Sequence, residues 1–163
     1  MRRAVAILLL IPFALVGTLV GGFISGLLIV IAEDPGRLTK PAGVIAAAGF
    51  VGMQGAVPAS LFIVPASLLA FPLAYYLRPP RGHSALNWTL HCAALGVGLA
   101  VLAVAGIFAF GFFAYGSGRI WDKLIRETWS LLAFLVFHLS TGLIIGALFG
   151  FAKYKLNSRR SAT

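Results

Sequence analysis

Val57 to Leu77 is a run of 21 residues without a charge, reading VPASLFI, VPASLLA, FPLAYYL. As a helix it is about 30 Å long, one hydrocarbon thickness, so it is read as a transmembrane span. Pro58, Pro65 and Pro72 recur every seven residues, which returns their rings to nearly the same azimuth and makes their kinks add. Pro58 suits the first position of the helix, where a missing N–H costs nothing, because Gly49, Gly52 and Gly55 weaken helix before it. Pro65 and Pro72 are interior and free the carbonyls of Leu61 and Leu68, which in lipid need a donor or water. Ser60 and Ser67 recur at the same period beside that face. Either they line a wet path along a bent helix, or they bond back to their own backbone.

The rest of the chain is of the same kind. With 60% hydrophobic and 10% charged residues and a mean hydropathy of +0.99, the 163 residues are excluded from the ordinary soluble class. A formal charge of +9 would point to nucleic acid in a soluble protein, but here the basic residues sit at the ends of apolar runs. No nucleic-acid partner is expected. The one cysteine, Cys92, rules out an internal disulfide and a multi-cysteine metal or redox site, and is read as a small packing residue.

The expected fold is all-α, a four-transmembrane-helix bundle with a proline-kinked second helix, spans at about 4–32, 56–77, 85–115 and 128–152. Residues 1–155 form one polytopic domain and 156–163 a basic cytoplasmic tail able to touch anionic lipid. Met1-Arg2-Arg3 and the run after it imitate a signal peptide. The run continues to Ala32 without a convincing cleavage site, so an uncleaved first span is expected, kinked at Pro12. The apolar 42–55 segment is too short to span and too apolar for a loop, leaving three forms open: interfacial, re-entrant, or an extension of the second helix. In the last form that helix is about 54 Å long and part of it leaves the bilayer. Arg119 to Trp129 carries an amphipathic pattern and is read as a short interfacial helix, and Arg78 to Ser84 as a stiff polar turn.

Two small-residue ridges, Gly17 with Gly21 and Gly22 with Gly26, mark helix contact faces on the first span, and Gly142, Gly146 and Gly150 mark another on the fourth. With the N-terminus inside, the inner segments hold Arg2, Arg3, Arg78, Arg81, Lys153, Lys155, Arg159 and Arg160. The outer ones hold Arg37, Lys40, Arg119, Lys123 and Arg126. Eight basic residues against five place both termini in the cytoplasm. All seven Trp and Tyr residues (Tyr75, Tyr76, Trp88, Tyr115, Trp121, Trp129 and Tyr154) fall near span ends, as an interfacial belt requires.

Chemistry is sparse. The polar candidates within spans are Gln54, His91, His138, Ser60 and Ser67; Gln54, an amide in an apolar stretch, is expected to find a partner. His138 shares a face with Gly142, Gly146 and Gly150, with Ser140 and Thr141 nearby, so it points into a helix contact or a cavity. A haem needs paired axial ligands at one depth, and His91 and His138 lie at different depths. Ser25 with His138 makes a weak dyad, and the spans hold no carboxylate, Lys or Arg for proton relays. No catalytic residue, cofactor or metal is therefore assigned. The expected function is a non-enzymatic protein of a bacterial inner membrane acting by helix–helix interaction, as an accessory or assembly subunit or an immunity-type protein, with a membrane-protein partner or as a homo-oligomer. The alternative is a small oligomeric channel or transporter with the bent second helix and His138 lining its path; an intramembrane enzyme is the remote third.

Overall fold

The computed structural model describes residues 2–35, 40–77, 84–115 and 128–158. The stiff turn, the amphipathic 119–127 stretch, most of the basic tail, and His83 and Trp121 lie outside the described residues. The elements are α1 (Arg2–Leu8), α2 (Leu10–Glu33), α3 (Pro41–Leu77), α4 (Ala85–Tyr115) and α5 (Thr128–Ser158). Four stretches are long and apolar enough to cross a membrane: Val5–Glu33, Pro41–Leu77, Ala85–Phe110 and Thr128–Ser158. The protein is an all-helical four-span bundle, as the hydropathy pattern requires. Its many exposed Leu, Phe, Ile and Val side chains fit a bilayer as the surrounding solvent.

α1 and α2 form one span. They join at Leu9, whose backbone is itself right-handed helical (φ −65°, ψ −18°), and the Leu9 and Phe13 amides still donate to the Val5 and Leu9 carbonyls at 3.0 and 3.3 Å. Pro12 has no N–H to donate to the Leu8 carbonyl, and the helix is interrupted at Leu9 alone.

The open question about 42–55 is answered by α3, a single 37-residue helix that takes this segment as its N-terminal part. It is about 55 Å long, well beyond a hydrocarbon core of about 30 Å. Pro58 therefore does not open a helix; it lies inside one with Pro65 and Pro72, and frees a third carbonyl, that of Gln54. The helix runs through all three prolines without a break. α5 likewise continues past residue 152 to Ser158, into the expected tail. Lys153 lies 5.6 Å above the Tyr75 ring and Lys155 5.5 Å above Phe151, so apolar stems and cation–π contact carry the helix past its charges.

Backbone-to-backbone approach at small residues decides who neighbours whom. On α2, a side chain at Gly22 would meet the Gly52 carbonyl oxygen and the Ala56 methyl at 2.7 Å, and one at Gly26 the Gly52 amide nitrogen at 2.8 Å. The facing α3 ridge is Ala48, Gly52 and Ala56, running antiparallel. The other α2 ridge meets α5: Gly17 faces the Thr141 carbonyl and Ile145, and Gly21 faces the Phe137 carbonyl and the Thr141 hydroxyl. On α5, Gly142, Gly146 and Gly150 meet Gly96, Cys92 and Trp88 of α4, again antiparallel. The order across the bundle is thus α3, α2, α5, α4. Such seams gain their energy from dispersion at short range, since lipid tails offer no hydrophobic drive between helices.

One hydrogen bond ties two helices within this core. The buried Thr141 hydroxyl donates to the Gly17 carbonyl at 3.2 Å. Thr141→Val is expected to lower stability by about 0.5–1.5 kcal/mol, the size of interhelical hydrogen bonds in membranes, with the bundle kept; unfolding in mixed detergent micelles measures it.

At the end where α3 finishes and α4 begins, Tyr75 lies 6.2 Å from Trp88 and 5.8 Å from Phe149, and Trp88 lies 6.4 Å from Tyr154. This is one level of the expected aromatic belt, built from three helices. Trp129 stands exposed at the opposite end.

Candidate functional site

α3 and α4 are the two outer helices and touch each other only slightly, so the bundle leaves a seam between them floored by α5. A cavity of about 170 Å³ fills this seam. Ile63, Ala66, Ser67, Ala70 and Phe71 line it from α3, Gly96, Leu99, Ala100 and Ala103 from α4, and His138, Thr141, Gly142 and Ile145 from α5. Ala66 and Ala103, one on each outer helix, are exposed at its rim, and their small size keeps the mouth open.

His138 sits on α5 where the glycine ridge ends. By helix rise it is about 5 Å from the level halfway between Trp129 and Tyr154, near the middle of the membrane. Its Nδ1 lies 2.9 Å from the Phe134 carbonyl oxygen. A carbonyl only accepts, so Nδ1 carries the proton, and in the neutral ring Nε2 is left as a lone-pair acceptor. Phe134 and Phe137 hold the ring, with centroids at 4.2 and 5.1 Å.

Ser67 contributes the second polar group. Its side chain is 6% exposed, and it makes no hydrogen bond among the described residues. No buried side-chain oxygen is sealed without a partner, so this hydroxyl opens onto the cavity it lines. The contrast with the other buried and half-buried Ser and Thr hydroxyls in the spans is sharp. Thr18, Ser25, Ser60, Thr89 and Ser140 donate to carbonyls of their own helices, Ser60 to Val57 at 2.7 Å, and Thr141 donates across to α2. Of the two serines at heptad spacing, one bonds back to its backbone and the other faces a hole.

The remaining candidates stay apart. Gln54 does not reach the site: it is exposed on the outer side of α3 and finds no hydrogen-bond partner among the described residues. His91 is half-buried on α4 beside Cys92, which packs on Gly146, about 12 Å along α5 from His138 by helix rise. The two imidazoles do not converge. Ser25 donates to the Gly22 carbonyl at 2.9 Å and is not among the cavity residues. Among the described residues no three His, Cys, Asp or Glu side chains gather, and the cavity offers a cation one imidazole nitrogen. Thr141 and the small residues Gly96, Ala100 and Ala103 complete the cavity. The spacing by four of Cys92, Gly96 and Ala100 is the signal in α4, one that glycine pairs alone do not show.

No protein-family model, curated protein or solved structure matches this chain.

Proposed function

We propose that this chain is a non-enzymatic multi-pass protein of a bacterial cytoplasmic membrane, both termini inside, that acts as an accessory component by binding within the bilayer at the α3–α4 seam. Ser67 carries this reading: a residue only 6% exposed whose hydroxyl makes no hydrogen bond among the described residues and opens onto a cavity that His138 also lines. Leaving a buried polar group unpaired costs about 1–3 kcal/mol, a cost that an occupant with matching polarity removes. The glycine ridges on α2 and α5, the chain's strongest contact motifs, hold its own helices together, which turns attention from partner helices to this seam. Its lining holds no charged side chain, so it suits recognition of a neutral molecule better than acid–base chemistry.

The test is a native mass spectrum of the chain released from its own membrane without stringent detergent. The expected spectrum shows the chain with a retained small molecule, alone or within a complex; a chain bare of any adduct overturns the reading. The mid-depth position of His138 also favours a second use of the same cavity, as the binding place of a small carrier. In that case His138→Ala changes solute flux in proteoliposomes.

A further inference from the structure

We propose that the seam cavity recognises a neutral hydroxylated ring, a phenol- or quinol-type head of a lipophile, with the O–H shared between His138 and Ser67. This rests on the cavity being the binding place, and goes further by naming what fits it.

The volume sets the size. An apolar cavity of roughly 150 Å³ holds benzene, and this one measures about 170 Å³, room for one six-membered ring. A helix from a partner protein does not fit. The mouth sets what is attached to the ring: it opens between two outer helices, past Ala66 and Ala103, at a depth where acyl chains surround the protein. A hydrocarbon tail leaves by that route without losing its lipid contacts.

The polar groups set the chemistry. His138 Nδ1 is committed to the Phe134 carbonyl, so Nε2 accepts and the occupant must donate. Ser67 is free to donate to the same oxygen once its hydrogen has gone to the imidazole. Both groups line the one cavity, and a hydroxyl that reaches both satisfies them together. Thr141 has already given its hydrogen to Gly17. The other lining residues are aliphatic, aromatic or glycine, among them Phe71, Leu99 and Ile145, with none to balance a charge. A carboxylate or an ammonium is therefore rejected by desolvation, and a ketone or ether, lacking a donor, leaves Nε2 unmet.

Two probes of one shape separate these terms: 4-butylphenol and its methyl ether, titrated calorimetrically into the full chain in lipid nanodiscs against empty discs. The phenol is expected to bind about fivefold to tenfold tighter than the ether, the gain of one or two hydrogen bonds. Ser67→Ala and His138→Phe are each expected to shrink that preference, whereas Ala103→Trp, placed at the exposed rim, blocks both probes. Equal binding of the two probes, abolished by Ala103→Trp, overturns the hydroxyl assignment while the binding place stands. Binding of neither probe above empty discs overturns both. The comparison of probes on the unmodified chain needs no variant to fold.

Discussion

Gly96→Leu is expected to detach α4 from the bundle and expose the chain's single thiol. A Cβ at Gly96 would fall on the Gly142 carbonyl, and one at Gly142 on the Gly96 carbonyl, so the two backbones are already in contact. No flexible side-chain tip is available to move aside. The helices must separate, and because Gly146 and Gly150 lie on the same seam against Cys92 and Trp88, its dispersion is lost along several turns. Overpacking a core commonly costs about 1–3 kcal/mol, and a backbone obstacle puts this change at the upper end. Cys92 reports the outcome, being fully buried at the centre of the seam. Its maleimide reactivity is expected to rise at least tenfold in Gly96→Leu. Gly98→Leu, two residues along on a face with nothing within 4 Å of an added Cβ, is expected to leave Cys92 protected. Equal protection in both variants would overturn the seam.

That contrast marks where the sequence was legible. Hydropathy located all four spans, because in lipid the length of an uncharged run is itself a structural constraint. It also showed that Gly17 with Gly21 and Gly22 with Gly26 form two faces. Which helix each face meets depends on complementary ridges elsewhere, and those were harder to read. The α3 ridge of Ala48, Gly52 and Ala56 crosses the point where the sequence reading divided 42–55 from the span beginning at 56. Gly49, Gly52, Gly55 and then Pro58 argue for a boundary there, yet one helix runs across it, packed on α2 at Ala48, Gly52 and Ala56. On α4 the ridge is Trp88, Cys92, Gly96 and Ala100, too mixed in size to stand out beside a run of glycines.

The site divides in the same way. His138 was visible as an ionisable group on the glycine face, and Ser67 as a serine at heptad spacing. Their convergence on one cavity was not, because it follows from α3 packing on α2 and α4 on α5 so that the two outer helices approach each other over that pair, and a bundle order is a property of ridge pairing. Gln54, the residue that most asked for a partner, faces outward because the inward positions of α3 at that level are taken by Gly52 and Ala56.

Orientation gives the second large effect. The antiparallel seams bring the start of α1, the end of α3, the start of α4 and the end of α5 to one end of the bundle, and the eight basic residues counted as inner belong in sequence to these segments or to the stretches that follow them. With both termini cytoplasmic, a cysteine placed by Pro35→Cys is expected to react with a membrane-impermeant maleimide on intact cells. One placed by Ser158→Cys is expected to react at least tenfold more slowly until the membrane is opened. The native thiol adds little background, since Cys92 is buried in the α4–α5 seam. The reverse pattern would overturn the orientation. The cause is tested by neutralising Arg78, Arg81, Lys153 and Lys155 together, which leaves four basic residues on the inner side (eight minus four) against five on the outer. With the bias removed, a mixed population is expected, in which each reporter cysteine labels partly from either side. If labelling stays one-sided after the balance has been reversed, something other than these charges sets the topology, and the assignment of cytoplasmic termini loses its physical basis.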